Sequence, residues 1–456
     1  MLFTNLTRRI EIGANCYSIE LGGKRIVLDC GMHPEQEGDE ALPNFSLLPD
    51  DSVDAIILSH AHHDHLGALP LLMRRQPRAA VFMSEATRFL AEVMLHNSVN
   101  VMTRQREELG TQNYPLFTHR EVDLCVKRWR PIPLRQRFSA EGERTQDDGE
   151  LTFEFHDAGH VLGAVGTLMR IGGRTLFYSG DVNFNDQTIS RAARFPEEKI
   201  DVLIMETTRG DHATAPGFTR EAEQARLARS FKQAFERGGA VLMPLFALGK
   251  TQELLAMLHD LKKTGQLANV PIYIGGLSTK LTELYDKLAR SSARLKPELQ
   301  ILDAVAPFVI AGRASGDEPI RKGRIYALSA GMMTEKTLSN SFARRMMSDP
   351  AHSIFFVGYA DPKSPGGKLR LAAPGDMIAL DSKVRAQPLR ATVERFDFSG
   401  HASRESIRDY VKKLAPKKVI LVHGELPAVE WFQNALAADL PQSEVIAPTP
   451  GLPIEL

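Results

Sequence analysis

The pattern of apolar and polar positions changes character partway along the 456 residues. In the first part, short apolar runs alternate with glycine-containing turns, which predicts strands and hairpins. CYSIELGGKRIVLDCG reads as strand, Gly22-Gly23 turn, strand and then Asp29. GTLMRIGGRTLFYSGD repeats the plan with Gly172-Gly173 and Asp181. A Gly-Gly pair suits a two-residue hairpin loop because both residues take positive φ at little steric cost. Each hairpin therefore delivers an aspartate just past its second strand. Between them, VDAIILSH is a continuous apolar run entering a polar turn, as a buried strand would. Residues 66–75 follow a short helical spacing, and AVFMS reads as another strand. EATRFLAEVMLHNSVNVMTRQREEL is a long helical pattern in which a break is expected near Asn97.

From about residue 201 the texture becomes strand–helix alternation. DVLIME, AVLMPLF, PIYIGG, RIYALSA and SIFFVGYA are buried-type strands, with helical patterns such as TQELLAMLHDLKK and STKLTELYDKLARS between some of them. That order predicts a parallel α/β sheet. After DPKSPGG the chain returns to short strands, among them KVILVHG, and then the helical PAVEWFQNALAADL. The expected organisation is one domain inserted into another: residues 1–205 and 386–456 form the outer domain and 206–385 the insertion.

Composition narrows the class. Lys+Arg and Asp+Glu are 56 each, so bulk charge does not drive nucleic-acid binding, although a local basic groove would be compatible with this balance. Cys16, Cys30 and Cys125 are scattered and odd in number, which excludes a disulfide framework, a CxxC redox motif and a cysteine zinc ribbon. No apolar run approaches the roughly 20 residues of a membrane span, and no membrane association is expected. Arg8, Arg9 and Glu11 stand where a signal peptide would need its apolar stretch. A reduced, cytoplasmic protein of enzyme size is expected.

The chemistry is concentrated in histidines. Four of the 14 fall within six residues, His60-Ala-His62-His63-Asp64-His65. Such an HxHxDH would arise by chance in roughly one chain in a thousand of this length. A turn after a buried strand can bring several imidazoles and a carboxylate together, and nitrogen and oxygen ligands without sulfur suit Zn²⁺. His63 is expected at the surface rather than on a metal. His160 in AGHVLGA, Asp181 in YSGD and His423 in LVHGE each follow a strand. With the turn, they supply enough ligands for two metal sites bridged by one carboxylate.

On these motifs the chain resembles the metallo-β-lactamase fold. METTRGD, FDFSGHAS, LVHGE and PLFALGKTQELL resemble its β-CASP subgroup of nucleases. The resemblance implies an α/β architecture, an αβ/βα sandwich carrying an inserted parallel α/β β-CASP domain. It implies two Zn²⁺ per chain, one on His60, His62 and His160 and the other on Asp64, His65 and His423, with Asp181 bridging. Asp29 would orient a ligand histidine through its ring N–H. Glu206 and His401 would meet where the domains join, with His401 as the general acid. The implied function is zinc-dependent hydrolysis of single-stranded RNA, as endonuclease, 5′-exonuclease or both, by a water activated between two metals. Asp64, Asp181, Glu206, His401 and Asp29 would be its catalytic set. Ser329, Gly331 and Ser403 would contact substrate, and a homodimer is the family-level expectation.

Some features depart from that pattern or argue for other readings. LGKT lacks the glycine of a phosphate loop, since residue 244 is Pro244, and a Walker site is rejected. Arg209 stands where these nucleases carry tyrosine, and GYADPKSPGG replaces their usual loop over 360–367, which bears on the substrate path. The alternatives are a small-molecule metallo-hydrolase acting on a thioester or lactam, and a non-catalytic scaffold subunit. The long insertion argues against the first and the full ligand set against the second.

Overall fold

The computed structural model describes residues 1–147, 149–310 and 318–456. The chain forms two compact units. The first comprises Met1–Asp186, Arg191–Thr214 and His401–Leu456, and the second Gln187–Ser190 and Ala215–Gly400.

The first unit is built on two seven-stranded mixed sheets. One runs Pro453–Glu455, Leu2–Asn5, Tyr17–Leu21, Lys24–Leu28, Ala55–Ile57, Ala80–Met83 and Trp129–Pro131. Its pairs are antiparallel as far as Lys24–Leu28 and parallel beyond. The other runs Glu444–Ile446, Lys418–Val422, Val202–Glu206, Arg174–Tyr178, Val165–Ile171, Thr152–Asp157 and Arg137–Ser139. Its first four strands are parallel and the rest antiparallel. Both expected hairpins form, with φ of 59° and 73° at Gly22 and Gly23 and of 54° and 75° at Gly172 and Gly173. Two consecutive positive φ values match the right-handed strand twist.

Alternating side chains make the core between the sheets. Tyr17, Ile19, Leu28 and Phe82 from the first sheet meet Phe153, Phe155, Met169 and Tyr178 from the second. The outer face of the second sheet, including Phe177, Leu203 and Leu421, is covered by helices Arg404–Leu414 and Leu426–Asp439 through Ile407, Val411, Val429 and Phe432. Helix Glu85–Leu109 lies against Trp129–Pro131 at the edge of the first sheet. The unit is thus an αβ/βα sandwich. Among the described residues no helix is long and apolar enough to cross a membrane.

Helix Glu85–Leu109 runs through Asn97 without the expected break. Its ends explain this: Ser84 accepts the Thr87 N–H as N-cap, and Gly110 closes it with φ 73°. One interior asparagine costs less than 1 kcal/mol of helix propensity, too little to interrupt a helix so capped.

The second unit carries a six-stranded, all-parallel sheet in the order Phe308–Ile310, Ile272–Gly275, Ile325–Leu328, Val241–Pro244, Ser353–Phe356, Thr392–Arg395. Leu242, Tyr326, Leu328, Ile354 and Phe356 pack with Phe342, Ala343 and Met346 of helix Leu338–Met346. The units divide after Thr214 and Gly400 rather than at 205 and 385. Val202–Glu206 pairs inside the second sheet of the sandwich, whereas Thr392–Arg395 completes the parallel sheet of the other unit. An apolar strand looks the same whichever sheet receives it, so the sequence places such boundaries poorly.

Candidate metal centre

The candidate ligands of the first unit lie in turns that follow strands. Strand Ala55–Ile57 leads through Leu58 and Ser59 to His60, and His62 precedes a single helical turn, His63–Leu66, that carries Asp64 and His65. The turn is tied to the hairpin segment before it: Cys30 N–H donates to His65 O at 2.7 Å, Met32 N–H to His63 O at 3.0 Å and Asn15 N–H to Asp64 O at 2.9 Å. His160 follows Thr152–Asp157, Asp181 follows Arg174–Tyr178, and His423 follows Lys418–Val422. Asp29 and His423 take φ of 57° and 50°. Side chains seldom adopt that left-handed region, and where they do the conformation commonly serves a site.

These residues converge on Asp181, which is 2% exposed. On one side, His62 Nδ1 lies 3.0 Å from His60 Nε2 and 3.1 Å from His160 Nε2, and Asp181 Oδ2 is 3.5 and 3.6 Å from the latter two nitrogens. On the other side, Asp181 Oδ1 is 3.3 Å from His65 Nε2 and 3.0 Å from His423 Nδ1. Asp64 Oδ2 closes this second group at 3.2 Å from His423 Nε2. The two groups, His60–His62–His160–Asp181 and Asp64–His65–His423, each present ligand atoms within 4.8 Å of one another.

Asp29 lies behind the second group, fully buried, and accepts the His65 Nδ1–H at 2.7 Å and the Tyr178 hydroxyl at 2.6 Å. Glu206 and His401 form a third group with Asp181 and His423, whose ligand atoms also lie within 4.8 Å of one another. His401 Nδ1 is 3.1 Å from both carboxylate oxygens, and Glu206 Oε1 also accepts the Val182 N–H at 2.7 Å. His401 Nδ1 stands 4.0 Å from Asp181 Oδ2.

The electrostatics follow from this crowding. Burial pushes the Asp181 carboxyl up, but His423, His65 and His401 together outweigh it and hold it well below the usual carboxylate range. Burial pulls His423 down, yet Asp181 and Asp64 bring it up to about 10. Burial and then His65 push His60 well below the ordinary imidazole range. Imidazoles and carboxylates packed this closely compete for protons, and a cation would take the protons' place.

The donor set fits a metal. His62 Nδ1 faces both His60 Nε2 and His160 Nε2 at about 3 Å, so three ring nitrogens converge where a cation would be held. Asp181 Oδ1, buried, accepts no well-aligned hydrogen bond. Nitrogen and oxygen ligands of this kind, without sulfur, suit zinc and other first-row metals.

One expectation needs restating. His63 is half-buried rather than exposed, with Ser98 Oγ 3.3 Å from its Nδ1, and it belongs to neither ligand group. Ser403 uses its hydroxyl to cap helix Arg404–Leu414, accepting the Ser406 N–H at 3.1 Å. Ser329 and Gly331 follow strand Ile325–Leu328 of the second unit. Sequence reasoning missed Ser59 and Tyr178. The only signal for either is its place beside a motif, directly before His60 and three residues before Asp181.

The sandwich and its histidine–aspartate cluster have the architecture of the metallo-β-lactamase type. A metallo-beta-lactamase superfamily model matches residues 9–233, a Beta-Casp domain model 251–369, and a model of a Zn-dependent metallo-hydrolase RNA specificity domain 386–448. The chain belongs to the metallo-β-lactamase superfamily, in its β-CASP group. Cleavage and polyadenylation specificity factor subunit 3-II of Arabidopsis thaliana is 30% identical over 444 residues, 94% of this chain and 68% of that protein. Cleavage and polyadenylation specificity factor 73 of Drosophila melanogaster is 29% identical, covering 93% of this chain and 60% of that protein. Transcription termination factor FttA of Methanothermobacter thermautotrophicus is 28% identical, covering 91% and 65%. The chain thus spans less than two thirds of the latter two. A solved protein of unknown function from Enterococcus faecalis V583 shares the fold at TM-score 0.57 and 14% identity, over 100% of this chain and 99% of its own.

Proposed function

We propose that this protein is a ribonuclease that hydrolyses phosphodiester bonds of single-stranded RNA using two Zn²⁺ ions. His60, His62 and His160 would hold one ion, Asp64, His65 and His423 the other, with Asp181 between them. Zinc so held supplies Lewis acidity that neutralises phosphate charge and makes a water nucleophilic near neutral pH.

The chain's own residues account for the rest. In-line attack by water on phosphorus expels the ribose 3′-oxygen, which must gain a proton. His401 Nδ1 is committed to Glu206, so the proton available for transfer is the one on Nε2. Glu206 fixes the orientation of His401. The observation that carries the reading is this His401–Glu206 pair set beside Asp181 and its ring of imidazoles. The match to an RNA specificity domain over 386–448, which includes both His401 and His423, supports RNA as the substrate.

The test is cleavage of a 5′-labelled single-stranded RNA beside the matched DNA, with zinc-loaded and chelator-treated protein. RNA cutting that chelation abolishes is expected, and the product ladder distinguishes endonuclease from 5′-exonuclease action. A zinc-loaded protein that cuts neither strand would overturn the reading and favour a small-molecule substrate.

A further inference from the structure

Behind the candidate metal centre runs a chain of side chains that joins the two ligand groups. Asp29, Ser59, His60 and His65 are each 0% exposed and Tyr178 is 1% exposed, so the proton of each hydroxyl must be placed among protein partners. Asp29 Oδ2 receives three contacts, from Ser59 Oγ at 2.7 Å, Tyr178 OH at 2.6 Å and His65 Nδ1 at 2.7 Å. Asp29 Oδ1 receives the Ser59 backbone N–H at 2.7 Å. On its other side, Ser59 Oγ lies 3.0 Å from His60 Nδ1.

Proton counting decides the direction of this chain. A carboxylate only accepts, and a serine hydroxyl has one hydrogen to give. If Ser59 gave that hydrogen to His60, two oxygens 2.7 Å apart would face each other in a dry site with no proton between them. The hydrogen therefore goes to Asp29, and Ser59 Oγ accepts from His60 Nδ1–H. His60 Nε2 is then bare and faces His62 Nδ1 at 3.0 Å. The same carboxylate holds the proton on His65 Nδ1 at 2.7 Å.

We infer that Ser59 carries the orienting role of Asp29 to a second ligand histidine, His60, whose Nδ1–H it accepts, so that His60 presents a bare Nε2 to the cluster. Ser59 is a positioning residue, as is Tyr178, which holds Asp29 in place. The inference deepens the metal-centre reading under Proposed function and rests on it for the consequence for zinc, though the tautomers stand on the hydrogen bonds alone. A ligand histidine that loses the partner of its other nitrogen binds metal more weakly, by 10–100-fold in known sites. Ser59→Ala keeps the backbone N–H to Asp29 and removes only the hydroxyl.

The experiment has two arms. In the first, long-range ¹H–¹⁵N spectra of histidine-labelled protein, metal-free and zinc-loaded, report the tautomer of each ring, with the His60 signals identified by comparison with Ser59→Ala. His60 and His65 are expected to carry hydrogen on Nδ1 in both states. In the second, zinc is titrated against a competing chelator. Wild type is expected to take two equivalents. Ser59→Ala should weaken one of them about 10–100-fold and leave the other within about threefold, without lowering the melting temperature of the metal-free protein. Nε2–H on His60, or a Ser59→Ala protein with both zinc affinities unchanged or both weakened alongside a lower melting temperature, would overturn the inference. Wild type taking no zinc would instead sink the metal-centre reading, while the tautomers of the metal-free protein would still decide for or against the Asp29–Ser59–His60 chain.

Discussion

The imidazole of His401 faces the carboxylate of Glu206 squarely, with Nδ1 3.1 Å from each oxygen, although 195 residues separate the two in sequence. A bifurcated contact of one N–H with both carboxylate oxygens fixes the ring plane as well as its tautomer. Glu206→Gln keeps the size and one acceptor but removes the charge. Single-turnover RNA cleavage should fall by roughly 10–100-fold while bound zinc, measured by atomic emission, stays at the wild-type level. Zinc loss in this variant would mean that Glu206 is a ligand rather than the partner of His401.

The HxHxDH turn has no slack where the preceding hairpin crosses it. A Cβ at Gly31 would sit 1.7 Å from Asp64 O and 2.9 Å from Asn15 N, both backbone atoms. Gly31→Ala must therefore move the turn that carries Asp64 and His65. We expect it to cost about 3 kcal/mol or more in the unfolding free energy of the metal-free protein, and to weaken zinc retention in a chelator challenge. A variant that matches wild type in both would show that the turn can shift freely.

Asp157 sets a pH dependence of its own. Burial pushes its carboxyl up to about 6 against an ordinary 3.8, with Gly159 N–H and the nearby arginines only partly opposing this. A raised acid binds its proton more tightly when folded, so the folded chain holds more protons than the unfolded one between pH 4 and 6. Wild-type stability therefore falls across that window and stays lower above it. Asp157→Asn should be more stable than wild type by up to about 3 kcal/mol at pH 7–8, with the difference gone below pH 4. Chemical unfolding of the metal-free proteins at both pH values measures this, and a pH-independent difference would refute the assignment.

Glu253 is the anchor of the second unit. Its carboxylate, 5% exposed, accepts three successive backbone N–H groups, from Thr188 at 2.6 Å, Ile189 at 3.0 Å and Ser190 at 2.8 Å. Glu253→Ala leaves all three donors without that partner, and the expected cost is roughly 3–4 kcal/mol. Hydrogen exchange should accelerate at residues 188–190 and across helix Lys250–Lys263. Unchanged exchange there would contradict the role.

What could be read from the sequence was local. The two Gly-Gly hairpins, the strand-end aspartates and the HxHxDH turn are each written in a few adjacent residues, and all of them form in the structure. Strand membership was not legible. Thr392–Arg395 joins the parallel sheet of the second unit rather than the outer domain expected of it, because pairing is decided by partners far along the chain. The supporting shell was hidden for the same reason. Tyr178 reaches Asp29 across 149 residues, and a serine before a histidine carries no pattern until Asp29 is seen beside it.

The most direct measurement of the central claim is single-turnover cleavage of single-stranded RNA by zinc-loaded wild type and His401→Ala, with zinc counted in both samples. The account predicts two zinc ions in each protein, cutting by wild type, and a loss of roughly 10²–10⁴-fold in the variant. A variant that keeps its zinc and cuts at the wild-type rate would contradict the role given to His401. A wild type that holds two zinc ions yet leaves RNA intact would contradict the ribonuclease reading itself.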